Sequence, residues 1–218
     1  MKLIYDDVNA VNLDKIAKYA GSFANHAEFF GQDAGREHYK LLGWLSMRGL
    51  KSFLGSSTPG GTPETPETFV DMGTLFGYSA LALALNPIHK VVTYDIADCT
   101  SGVPPDRTYR AVPNIEFRQR DATTPEEIVW IAKNASIVLL DIDPHDGTSE
   151  ARALAELQRA GFKGLLVCDD IHLNSGMQKF WADIALPKWD ITHMGHWSGT
   201  GLVCYDPELS RTLDIEEL

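Results

Sequence analysis

Cysteine is scarce in this chain: three residues in 218, Cys99, Cys168 and Cys204, with no CxxC spacing. An odd count without that spacing argues against a disulfide framework and against a cysteine zinc site. Cys168 and Cys204 lie in apolar runs and are expected as small core residues, in a reducing cytoplasm. Long hydrophobic runs are missing too. No window approaches the about 18 apolar residues of a membrane-spanning helix, and residues Met1 to Asp7 lack the apolar stretch of a secretory leader. Basic charge is the third shortage. Nineteen Lys and Arg stand against 30 Asp and Glu, a net charge of −11, and no Lys/Arg-rich run reverses it locally. Such a surface repels a phosphate backbone, which excludes nucleic acid as a partner and points to a small acceptor molecule.

What is present suits a globular enzyme. With 44% hydrophobic and 22% charged residues, the chain can bury a sizeable core, and 218 residues fit a single domain. Residues 1–54 read as a helical cap: Asn12 or Asp14 can start a helix running to about Phe30, and Glu37 to Leu54 carries apolar residues at helical spacing. A Pro/Gly/Thr-rich loop from Gly55 to Glu67 leads into the core, residues 65–218. Strand-type runs follow at 69–72, 90–94, 115–117, 136–140 and 164–168, with helical patterns at 77–86, 124–133, 147–160 and 174–184. Such alternation implies a parallel sheet covered on both faces. Asp190 to Met194 and Leu202 to Tyr205 are strand-like with only a Gly-rich link between them, which predicts an antiparallel hairpin. The expected fold class is α/β, Rossmann-like: a seven-stranded, mostly parallel sheet, a C-terminal antiparallel hairpin and N-terminal helices.

The most informative stretch is Phe69 to Ala84, FVDMGTLFGYSALALA. An apolar strand ends in Asp71, Gly73 and Gly77 follow four apart, and an Ala/Leu-rich helix begins near Ser79. Glycines at a strand-to-helix turn allow positive φ and close approach of a ligand, and open α/β sheets bind ligands at the carboxyl ends of their strands. The next strand ends in Asp95, placed to accept hydrogen bonds from two ribose hydroxyls. Asp121, closing FRQRD, is placed to receive an adenine amino group. Gly-rich turns and acidic strand ends also occur in α/β proteins at large. The nicotinamide-binding alternative asks for GxGxxG, with its middle glycine beside a pyrophosphate; Gly73-x-x-x-Gly77 is not that pattern, and Asp71 would disfavour a phosphate.

The stretch VDMGTLFGYSALALA resembles the first motif of class I S-adenosylmethionine-dependent methyltransferases. It is similar in particular to the small cation-dependent O-methyltransferases related to catechol and caffeoyl-CoA O-methyltransferases, which carry D-x-G-x-x-x-G-Y-S. Bacterial sugar O-methyltransferases are a further possible affiliation. The resemblance covers roughly residues 65–205 and does not fix the acceptor. It implies S-adenosylmethionine held by Asp71, Gly73, Gly77, Ser79, Asp95 and Asp121, and a homodimer.

Two more strand ends are acidic: IVLLDIDPHD, with Asp141 and Asp143, and LLVCDDIHLN, with Asp169 and Asp170. Carboxylates crowded at one sheet edge repel, and a hard divalent ion such as Mg²⁺ relieves them. The resemblance implies Asp141, Asp169 and Asp170 as its ligands, with Asp170 standing where the family has Asn. The competing reading is that Asp169 or Asp170 caps the next helix and Asp143 bonds backbone. Where the family places a Lys, this chain has Pro144, followed by His145. Histidine titrates near neutrality, so His145 is the expected general base, with Asp143 as the second catalytic candidate. His38 and Tyr39, on the second N-terminal helix, and His196 and Trp197, in the hairpin link HMGHWSGTG, are candidate acceptor contacts; a solvated charged face and interface packing are the competing readings there. The expectation is O-methylation of a small hydroxylated acceptor, a saccharide ahead of a catechol or phenol. A nicotinamide-dependent oxidoreductase and a non-catalytic adenosyl-ligand-binding protein stay open beside it.

Overall fold

The computed structural model describes residues 2–20, 27–50 and 65–216. The helices are α1 (Tyr5–Asn9), α2 (Asp14–Ala20), α3 (Ala27–Phe30), α4 (Tyr39–Arg48), α5 (Tyr78–Leu83), α6 (Pro125–Asn134), α7 (Thr148–Arg159), α8 (Ser175–Asp183) and α9 (Pro207–Thr212). The strands are β1 (Lys2–Leu3), β2 (Thr68–Met72), β3 (Lys90–Asp95), β4 (Ile115–Gln119), β5 (Ile137–Leu140), β6 (Leu165–Asp169), β7 (Lys188–Asp190), β8 (Thr200–Cys204) and β9 (Asp214–Ile215).

Seven strands form one sheet in the order β4-β3-β2-β5-β6-β8-β7. The first five in that order run parallel, and β8 pairs antiparallel with both β6 and β7. This is the expected α/β architecture. β5 and β6 are buried along their whole length, as central parallel strands sandwiched between helices must be. The two-residue period sorts their side chains between layers. Phe69, Val91, Leu139 and Val167 pack with Leu41, Leu42 and Leu45 of α4 and Leu81 of α5. Val70, Val92, Val138 and Leu166 pack on the other face with Ile128, Leu157 and Phe180 of α6, α7 and α8. Cys168 and Cys204 are buried. A separate parallel pair joins β1 to β9, where the Tyr5 amide donates to Glu216 Oε2 at 2.8 Å.

Local chemistry sets the ends of the helices. Thr124 and Asn174 cap α6 and α8 by accepting hydrogen bonds from amides in the first turn. The cap of α8 is therefore Asn174, and neither Asp169 nor Asp170 fills that role. Several expected bounds are corrected. The second N-terminal helix stops at Arg48 and not at Leu54, because Gly49 takes φ 64°; 51–54, like most of the Pro/Gly/Thr loop, lie outside the described residues. The expected helix to Phe30 is present as α2 and α3, with 21–26 outside the described residues. The strand expected over Asp190 to Met194 is β7 (Lys188–Asp190), which ends at Asp190 and not at Met194. Asp190 Oδ1 accepts from the amide and hydroxyl of Thr192, which bends the chain into a 3₁₀ turn at Thr192–Met194.

β2 lies between β3 and β5, so successive connections leave it in opposite directions and open a crevice at its carboxyl end. Gly73 crosses that point at φ 111°, and a Cβ there would stand 1.7 Å from the carbonyl oxygen of Asp141. Gly73→Ala is expected to cost more than about 2 kcal/mol, by backbone strain and separation of β2 from the β5 loop. Gly31→Ala, with nothing near its Cβ, should stay within about 0.5 kcal/mol of the parent. Urea unfolding of both variants tests this; equal stability would mean that the crossing is loose.

Candidate functional site

The crevice at the carboxyl ends of β2, β3, β4 and β5 is a cavity of about 540 Å³, within the range of small-ligand pockets. Its floor is the turn after β2. The amides of Gly73 and Thr74 donate to the carbonyl of Tyr94 at 2.9 and 3.0 Å, and Leu75, at φ 44°, donates its amide to Asp95 Oδ2 at 2.8 Å. Asp95 Oδ1 accepts from the amide of Ala97 at 2.9 Å, while Asp121 Oδ1 accepts from the amide and hydroxyl of Thr123. Both acids are thereby fixed in place with lone pairs to spare. Ile96, 76% exposed, and Ile142 give the cavity apolar surface, and Asp141, Asp143 and His145 close one side.

Of the six residues expected at a nucleoside ligand, Gly73, Asp95 and Asp121 line this cavity. Asp71, Gly77 and Ser79 stand behind it. Asp71 is fully buried and accepts the Thr93 hydroxyl at 2.6 Å, and its Oδ1 has no hydrogen-bond partner. Burial pushes its carboxyl up to about 7, against the lowering effect of Thr93. Gly77, at φ 81°, lets the ring of Tyr109 approach where a Cβ would sit 2.0 Å away. Ser79 Oγ lies 3.1 Å from His38 Nε2. These three shape the loop from inside.

The acids of β5 and β6 meet next to the cavity, as the sequence pattern implied, but divide into two groups. Asp169 ends β6 within the sheet, whereas Asp170 leaves it at φ 59°, a left-handed conformation that Asp and Asn tolerate better than most residues. The turn brings one oxygen of Asp170 toward His145, while its other oxygen stays beside His196, the neighbour it shares with Asp169. Asp170 joins Asp141 around His145: His145 Nδ1 is 3.7 Å from Asp170 Oδ2 and 3.8 Å from Glu150 Oε1, and Nε2 is 3.8 Å from Asp141 Oδ1 and 3.7 Å from Asp143 Oδ1. Four carboxylates surround this imidazole, and none is within hydrogen-bond distance. Asp143 is otherwise exposed.

Asp169 is buried between two other imidazoles. Its Oδ2 is 3.2 Å from His38 Nδ1 and its Oδ1 is 3.6 Å from His196 Nδ1. Burial alone would raise its pKa, but the two histidines hold it well below the usual carboxylate range. Burial likewise opposes the charge on His196, yet the adjacent carboxylates of Asp169 and Asp170 push it up to about 10. The same balance raises His38. Asp141 moves the other way: burial, and then the charge of Asp169, raise its carboxyl well above normal. The Ser198 hydroxyl bonds Asp170 and lies 2.6 Å from His196 Nδ1.

Of the candidate acceptor contacts, His38 is buried, Tyr39 meets it edge-on at 4.8 Å, and Trp197 is 68% exposed with its ring centre 5.5 Å from that of His196. Sequence reasoning passed over Ser198 and Glu150. Ser198 follows Trp197 directly, and its place in a polar link was the available signal. Glu150, buried at the start of α7, accepts the amide of Gly147 in the pattern of a capping box and read as an ordinary helix acid.

No protein-family model matches the sequence, and no curated protein is significantly similar to it. Solved structures do match. An SAH-bound methyltransferase of Podospora anserina aligns with 89% of this chain and 88% of its own at TM-score 0.53 and 14% identity. A Klebsiella pneumoniae protein provisionally described as an O-methyltransferase gives 89%, 89%, 0.53 and 14%. A methyltransferase of Geobacter sulfurreducens gives 76%, 76%, 0.51 and 16%. The chain has the Rossmann-like methyltransferase fold that these structures share.

The elevated Asp71 carboxyl has a thermodynamic consequence. Its pKa of about 7 against an ordinary 3.8 means that the folded protein holds a proton the unfolded chain has released, so stability falls as pH rises from about 4 to about 7. The loss reaches at most about 4 kcal/mol. Asp71→Asn removes the titration, and its advantage over the parent in urea unfolding should grow across that window. Parallel curves for the two proteins would mean that Asp71 ionises at no cost.

Proposed function

We propose that the protein transfers a methyl group from S-adenosylmethionine to a hydroxyl of a small acceptor, a saccharide in preference to a phenol. One observation carries the reading: a nucleoside-sized cavity at the switch point of the sheet opens on a cluster of carboxylates and a histidine. Asp95 accepts the ribose hydroxyls with its remaining lone pairs, Asp121 Oδ2 takes the adenine amino group, and Ile96 covers an apolar face. The tight crossing of Gly73 against Asp141 keeps side chains out of the space for the donor.

The acceptor hydroxyl approaches from the side of Asp141 and His145. Its oxygen attacks the methyl carbon, the carbon–sulfur bond breaks, S-adenosylhomocysteine leaves, and the hydroxyl proton passes to His145. Carboxylate oxygens of Asp141, Asp143, Glu150 and Asp170 lie 3.7–3.8 Å from its ring nitrogens. The residues present fit a divalent cation: burial, and then the charge of Asp169, hold the Asp141 carboxyl above its normal pKa, and Asp141, His145 and Asp170 face one another closely enough to share an ion. Such an ion, Mg²⁺ among the candidates, would be held by Asp141 and Asp170 with Asp169 adjoining, and would lower the pKa of an acceptor hydroxyl. Trp197, exposed beside His196, offers its face to a sugar ring, and a planar phenol would use the same face.

Calorimetry with S-adenosylmethionine should give saturable binding that Asp95→Ala weakens by about tenfold or more, the loss expected for hydrogen bonds to ribose. A heat signal from a nicotinamide cofactor in its place would overturn the assignment. Transfer of labelled methyl to a panel of saccharides and catechols, with and without EDTA, identifies the acceptor. His145→Ala should lower turnover by about a hundredfold, within the range for a general base. Full turnover in EDTA removes the cation from the reading, and near-parental turnover of the variant removes the base.

A further inference from the structure

Of the second group, His38, Asp169 and His196, only Asp169 adjoins the cation proposed above, and neither imidazole takes a step in methyl transfer. One donor atom from each lies within 4.8 Å of the other two. The residues come from three separate elements: the segment entering α4, the end of β6 and the link between β7 and β8. Zinc with ligands at about 2.0–2.1 Å places neighbouring donors about 3.3 Å apart. Here His38 Nδ1 and Asp169 Oδ2 are 3.2 Å apart, and His196 Nδ1 and Asp169 Oδ1 are 3.6 Å apart.

Two further observations point to a ligand. His38 and Asp169 are each only 4% exposed, yet His38 Nδ1 and Asp169 Oδ1 have no hydrogen-bond partner; the 3.2 Å contact is out of line for one. Both imidazoles also direct the outer nitrogen to a polar group: His38 Nε2 to Ser79 Oγ at 3.1 Å, and His196 Nε2 to Glu37 Oε2 at 3.7 Å. Outer partners of that kind orient metal-bound histidines. Imidazole nitrogen selects transition ions over Mg²⁺ and Ca²⁺.

We propose that His38, Asp169 and His196 bind a transition-metal ion, Zn²⁺ or one of similar size, which pins the N-terminal segment and the β7–β8 link to the end of the sheet. Asp170 Oδ1, 3.4 Å from His196 Nδ1, or a water completes the shell. Ser198 then gives up its contact with His196 Nδ1 and keeps its bond to Asp170. Its two imidazoles distinguish this site from the cation proposed at Asp141 and Asp170, with which it shares the Asp169–Asp170 edge, and it does not rest on methyl transfer.

The full chain, stripped with chelator and dialysed, is titrated with Co²⁺ and with Zn²⁺. Co²⁺ should give a visible d–d band saturating at one equivalent, and X-ray absorption of the Zn²⁺ form should show two imidazoles. Zn²⁺ at a hundred times its Kd should raise stability by about 2.7 kcal/mol, read as a higher Tm. His196→Ala and His38→Ala should lose the band, while Asp141→Asn keeps it. Since His38 is buried, His196→Ala, at a partly open position, guards against a folding defect. No band in the parent protein, a metal shell of oxygen alone, or a band lost in Asp141→Asn but kept in both histidine variants would overturn the proposal. S-adenosylmethionine binding, measured on the same samples, reports separately on the donor site.

Discussion

Carboxylates at the ends of β2, β5 and β6 are forced together by the topology, because a parallel sheet delivers every strand's carboxyl end to the same edge. Asp71, Asp141, Asp169 and Asp170 occupy those ends. Partial burial makes their mutual repulsion more costly than it would be in water. Much of the surrounding architecture answers that cost. The Thr93 hydroxyl serves Asp71, two imidazoles flank Asp169, Ser198 bonds Asp170, and His145 stands among four acids. The cap and the β7–β8 link are thus held to the sheet by polar chemistry at its edge as well as by packing on its faces.

This arrangement separates two jobs. The crevice floor is built from backbone amides, a glycine crossing and two locally bonded acids, and these parts need little help from the rest of the chain. The polar cluster beside it draws on residues far apart in sequence: His38 before α4, His145 after β5 and His196 after β7. The cap and the link stand apart from the crossing of Gly73 over Asp141.

The fold was readable from periodicity. Near-continuous apolar runs at β5 and β6, and Gly-punctuated boundaries, gave the parallel sheet and its antiparallel end. Local turns were less readable: Gly49 ends α4 through backbone conformation alone, and the Asp190–Thr192 bonds override the strand pattern beyond β7. Asp95 and Asp121 line the crevice, as the sequence placed them, because their positions follow from the sheet. The loop motif also pointed to Asp71, Gly77 and Ser79, and nothing in one dimension told a cavity wall from the layer behind it. The pairing of Asp169 with His38 joins residues 131 positions apart by number, a relation that no spacing rule encodes. Asp169 and Asp170 read as twin ligands through the family resemblance; the left-handed turn at Asp170 is what brings one of its oxygens toward His145.

That turn also restricts what can occupy position 170. At φ 59° a branched or bulky side chain is strained, whereas Asn and Asp sit there at similar steric cost. The two differ in shape by almost nothing and in charge by a whole unit. The backbone thus makes position 170 a selector of electric potential: replacing an amide nitrogen with an oxygen retunes the neighbourhood of Ser198 and His145 without moving a single α-carbon.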